Sequence, residues 1–89
     1  MLSLRDCVDL CGLSDDELTV IAEHEHVPTI VAAEIGNELL ATPKGLYRLH
    51  TLFLDSLERA ARGGQRDKEK LIGEIYARFR AQHPMPRLL

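Results

Sequence analysis

Leu13-Ser14-Asp15-Asp16-Glu17-Leu18-Thr19-Val20-Ile21-Ala22-Glu23-His24-Glu25-His26-Val27-Pro28 is the run that decides the fold class. Ser14 followed three residues later by Glu17 is a capping box: the hydroxyl serves the Glu17 amide while the Glu17 carboxylate reaches back to the Ser14 amide. Leu13 and Leu18 flank it as a hydrophobic staple. The helix opened there runs to about His26, because Pro28 pushes Val27 out of the α region. A sharp elbow is expected at Val27, with Pro28 restarting the chain as the first residue of a new helix.

Outward from this run the same chemistry recurs. Upstream, Ser3 can cap a short helix over 4–11 whose Leu4, Cys7, Val8 and Cys11 form one apolar stripe, and Gly12 supplies a left-handed stop. Downstream, residues 28–41 form a helix with Val31, Ala32, Ile35, Gly36, Leu39 and Leu40 on a wide apolar arc. Gly36 costs about 1 kcal/mol against alanine inside a helix, so with Ala32 it is expected to seat another helix at close range. Thr42-Pro43 opens a long helix over 43–62 with a core stripe of Leu46, Leu49, His50, Phe53, Leu57, Ala60 and Ala61, flanked by partly exposed Leu52 and Leu54. Its outer face carries the pairs Asp55 with Arg59 and Glu58 with Arg62, each four residues apart. Gly63-Gly64 breaks the chain, and a helix over 66–82 is expected to bury Leu71, Ile72, Ile75, Tyr76 and Phe79 before a short tail, 83–89.

No segment alternates with a strand period, so the class is all-α: a compact bundle of four to five short antiparallel helices in a single domain spanning 1–89. The 89 residues, 45% hydrophobic and 28% charged, suit one soluble globular core. No charge-free stretch approaches the ~20 residues that span a bilayer, and the first six residues lack a secretory pattern. Two cysteines, too close together to staple a fold, agree with a reducing compartment, so the expected location is cytoplasmic.

Function is less legible. No phosphate loop, nucleophile elbow or His-Glu-x-x-His array is present, and the expected class is not an enzyme. A net charge of −3 disfavours nucleic acid, and the helix after the elbow exposes Glu34 and Glu38 with no Lys or Arg to meet phosphate. Cys7, Cys11, His24 and His26 are zinc-type ligands, and Glu23-His24-Glu25-His26 holds a Glu-x-x-His step of the kind used by di-iron bundles. A bound iron or zinc ion is therefore an alternative to a chain with no cofactor. The plainer reading makes both cysteines small core residues and the Glu/His run a solvated helix end. Glu25 and His50 both fall on apolar stripes, which points to a buried polar pair.

Charge is divided along the chain. Residues 1–42 hold nine acids against Arg5 alone, whereas residues 43–89 hold ten Lys or Arg against five acids. Like charges repel within each half unless the halves lie together. The acidic face of the helices over 15–26 and 28–41, Glu34 and Glu38 included, is thus expected to meet the surface of Arg59, Arg62, Arg66, Arg78 and Arg80, partly within the molecule and partly between copies. The function expected is a protein–protein interaction module, with a homodimer or an unidentified protein as partner. Metal binding through Glu23, His24, Glu25 and His26 and an accessory role beside a larger enzyme are the alternatives.

Overall fold

The computed structural model describes residues 12–86, which form four helices and no strand: α1 (Asp15–Glu25), α2 (Thr29–Leu40), α3 (Pro43–Arg62) and α4 (Arg66–Gln82). The expected helix over 4–11 lies outside the described residues. Two of the four helix starts, those of α1 and α3, are capped by a side chain. At α1 the Ser14 hydroxyl accepts from the Glu17 amide at 3.2 Å, and the Glu17 carboxylate accepts from the Ser14 amide at 2.7 Å. At α3 the Thr42 hydroxyl accepts from the Gly45 amide at 3.0 Å, with Pro43 occupying the first turn.

The elbow between α1 and α2 turns one residue earlier than expected. His26, not Val27, carries the turn: it adopts left-handed φ 57° and ψ 48°, and its amide and that of Val27 both donate to the Ala22 carbonyl. Pro28 stays extended at ψ 159° and acts as the residue before α2, so the helix begins at Thr29 rather than at the proline.

The helices enclose a single cluster in which Leu18, Ile21, Leu49, His50, Phe53 and Phe79 are wholly buried. Removing such an apolar side chain from water contributes roughly 1.5–3 kcal/mol each. α3 and α4 run antiparallel, with the Phe53 and Phe79 rings 4.8 Å apart, and α1 and α2 close the other side. α2 packs on α1 and α3 and barely touches α4. Gly36 is buried as expected, but what approaches it is chiefly the Leu13 side chain, into which a Cβ would run, with Ile21 of α1 behind. Gly45 is the tighter position. A Cβ there would lie 2.7 Å from the backbone Cα and carbonyl carbon of Leu39, because only two residues link α2 to α3.

Three residues sit differently from their sequence pattern. Leu52 is buried, whereas Ala61 and Leu71 are exposed. At 100° per residue, Ile72, Ile75, Tyr76 and Phe79 share one face, and Leu71 lies about 90° from its centre. It therefore points away from the core and belongs to a different surface.

Candidate functional site

Polar chemistry gathers at two histidines, and both are held by helix pairs far apart in sequence. His50 on α3 is fully buried, with its Nε2 at 2.7 Å from the carbonyl oxygen of His83 and its Nδ1 at 2.9 Å from the Tyr76 hydroxyl. A carbonyl can only accept, so Nε2 carries the proton and donates; Nδ1 then accepts from the Tyr76 O–H. The ring is packed edge-on to Tyr76 and Phe79. Burial in this aromatic surround holds its pKa below the ordinary 6.5; the His83 carbonyl opposes that shift, and the charges of His83 and Arg80 add to it. The neutral imidazole thus ties the end of α4 to the middle of α3, with no ring nitrogen left for a substrate.

His24 on α1 donates from Nε2 to Asp55 Oδ2 on α3 at 2.7 Å, and Arg59 Nε lies 3.1 Å from the same oxygen. The histidine hydrogen bond holds the Asp55 carboxyl below its usual 3.8; desolvation opposes it, and the Arg59, His24 and Arg62 charges add to the lowering. His24 Nδ1 is buried without a hydrogen-bond partner and has Glu25 Oε1 3.9 Å away. A cleft of about 190 Å³ beside it is lined by Ser56, Arg59, Gln65 and Lys68 among others. Ser56 makes no hydrogen bond to His24, and both cations already face carboxylates. The arrangement holds α1 to α3 and assembles no nucleophile with its base.

The sequence-predicted metal residues separate. Glu23 faces Lys68 at 3.0 Å, His24 faces Asp55, Glu25 is exposed, and His26 is the exposed turn residue. Among the described residues no group of three or more His, Cys, Asp or Glu side chains converges to hold an ion, and Cys7 and Cys11 lie outside those residues. The expected Glu25–His50 pair is corrected as well. Glu25 lies on the Leu18–Ile21–Ala22 line, but it is the last residue of α1, and its side chain stays 42% exposed while Tyr76 and His83 take both nitrogens of His50. A charged carboxylate at a helix end reaches water more cheaply than it enters a core.

The charged halves do meet, through the acids of α1 with the expected Arg78 and with Lys68, and not through those of α2. Arg78 Nη2 lies 3.5 Å from Asp16 Oδ2, and Lys68 Nζ lies 3.0 Å from Glu23 Oε2. Glu34 and Glu38 make no ion pair among the described residues, since α2 is on the far side from α4. Arg59 and Arg62 pair along their own helix with Asp55 and Glu58, and Arg80 lies over the Tyr76 ring at 5.9 Å from its centre. No partner for Arg66 is found among the described residues.

Between those two cross-helix pairs lies an apolar groove. α1 and α4 run antiparallel, as Asp16 opposite Arg78 and Glu23 opposite Lys68 require, and enclose a groove of about 360 Å³. Its floor is Val20, Ile72 and Ile75, and Leu71 stands beside it at 54% exposure. Asp16, Glu23, Asp67 and Lys68 rim it. Sequence reasoning placed Leu71 in the core; its ~90° offset from the buried face was the available signal. No helix among the described residues is long and apolar enough to cross a membrane. Comparison with protein-family models, with curated proteins and with solved structures yields no match.

Proposed function

We propose that this protein is a non-enzymatic protein–protein interaction module whose contact surface is the groove between α1 and α4. The observation that carries the reading is Leu71, a large aliphatic side chain left 54% exposed beside an aliphatic floor and rimmed by charge. An apolar centre within a charged rim is the anatomy of a contact surface, in which the centre supplies affinity and the rim orientation. Tyr47 and Leu54 on α3 are exposed to a similar degree but line no concavity with Leu71. The two histidines support the same reading from the other direction, because each is engaged in fastening helices together.

A photo-crosslinking residue placed at Leu71, with a control at exposed Glu34 on α2, tests this in the native cell. A discrete adduct formed from position 71 and not from position 34 is the expected result. Failure to form any adduct at 71, or equal adducts at both positions, overturns it.

A further inference from the structure

The groove's charge layout selects its occupant. α1 carries Asp15, Asp16, Glu17, Glu23 and Glu25 and no Lys or Arg, whereas α4 carries Arg66, Lys68, Lys70, Arg78 and Arg80 against Asp67, Glu69 and Glu74. At the groove itself the α1 wall presents Asp16 and Glu23 with no cation, and the α4 wall presents Lys68, with Arg78 reaching Asp16, against the single acid Asp67, with the aliphatic floor between them. Such a surface is complementary to itself under one rotation. We infer that the occupant is a second copy of the chain, related by a two-fold axis running along the groove, so that α1 of each copy lies against α4 of the other; this rests on the interaction reading above.

The direction of the axis follows from the charges. In an isologous contact the same patch faces itself, and a rotation about the groove's long axis exchanges its two walls while preserving height along it. Acidic α1 then meets basic α4 on both sides. A two-fold axis across the helices would instead stack α1 on α1 and oppose like charges, which disfavours that pairing. Because height is preserved, the bonds already closed within one copy repeat across the interface: Asp16 approaches Arg78 of the partner subunit, and Glu23 approaches Lys68 of the partner subunit. Each end of the groove becomes an alternating cluster of four charges. Leu71 enters between them, against Val20 of the partner subunit, which covers the apolar surface that each copy leaves open.

A charge-swapped pair of variants tests both the occupant and the axis. One variant carries Asp16→Lys with Glu23→Lys, making both walls basic; the other carries Lys68→Glu with Arg78→Glu, making both acidic. Sedimentation should find the wild type self-associating and each variant alone weakened by about tenfold or more, as like walls then face each other. The equimolar mixture should form a heterodimer, because all cross-copy contacts are then between opposite charges. Circular dichroism melts verify that each variant folds. If either does not, wild-type protein mixed from differently isotope-labelled pools carries the test instead: an intermolecular NOE between the Leu71 and Val20 methyls is expected. A wild type that stays monomeric, a mixture no tighter than its components, or intermolecular contacts from α1 to α1 would overturn the inference. An adduct from position 71 to a different protein would leave the interaction reading standing and remove the second copy alone.

Discussion

His50 decides more at the residue scale than any other polar side chain among the described residues, because its two ring nitrogens join the middle of α3 to Tyr76 and His83 on the α4 side. Removing the ring strands the Tyr76 hydroxyl and the His83 carbonyl and opens a cavity, so His50→Ala should destabilise by about 2–5 kcal/mol in urea unfolding. Tyr76→Phe removes one donor and leaves Nδ1 bare, which should cost about 1–3 kcal/mol. The pH dependence has a definite sign. The folded pKa of His50 is below 6.5, so as pH falls past about 6.5 the unfolded chain takes a proton that the folded chain refuses. The stability that neutral His50 contributes is complete above that pH and erodes as pH falls toward the folded value. Denaturation midpoints measured between about pH 7.5 and pH 5 should therefore fall less steeply in His50→Leu than in the parent. Asp55 acts the other way round in charge but with the same sign: its lowered pKa contributes stability above 3.8 that is lost as pH falls through the folded value. In His24→Gln, the Asp55 carboxyl followed by NMR should titrate higher than in the parent.

At the scale of the element, two glycines and one histidine fix how the helices join. A Cβ at Gly45 meets Leu39 backbone, which cannot move aside, whereas a Cβ at Gly36 meets the end of the flexible Leu13 side chain. Gly45→Ala should therefore cost more than Gly36→Ala, by at least about 1 kcal/mol, although alanine is the better helix former at both. Equal midpoints for the two variants would mean that the α2–α3 junction relaxes freely. His26 holds a left-handed conformation that costs an L-residue roughly 1–2 kcal/mol and glycine almost nothing. His26→Gly should raise stability by about 0.5–1 kcal/mol in thermal unfolding, the gain being reduced by glycine's freedom in the unfolded chain.

On the scale of the whole molecule, the division of charge acts between helices rather than within them. The Asp16–Arg78 and Glu23–Lys68 pairs are exposed, so Arg78→Ala or Lys68→Ala should change monomer stability by only ~0–1 kcal/mol. Self-association through the α1–α4 surface should respond more strongly. It should weaken between about 0.1 M and 1 M salt, as the screening length falls from ~10 Å to ~3 Å, whereas an apolar contact alone would hold or tighten. Sedimentation across that range separates the two.

Local signals determined the elements. The Ser14–Glu17 box, Thr42-Pro43 and Gly63-Gly64 act within a few residues of themselves, and the structure starts and stops helices where they stand. Helical periodicity likewise assigned His50, Phe53, Ile72 and Phe79 to the core, because a stripe's hydrophobicity is a property of one helix alone. What the other side of a stripe meets is not such a property. His50 found Tyr76 and His83 rather than Glu25, and His24 found Asp55, thirty-one positions away, because only the packing of α1 and α4 on α3 brings those atoms within hydrogen-bonding reach. The same holds for charge. The imbalance between the two halves is written in the order of residues, but Asp16 and Glu23, not Glu34 and Glu38, face the basic helix, because the chain lays α1 beside α4 and leaves α2 on the far side. Electrostatic pairing acts over a few ångströms, and those distances come into being only when the helices pack.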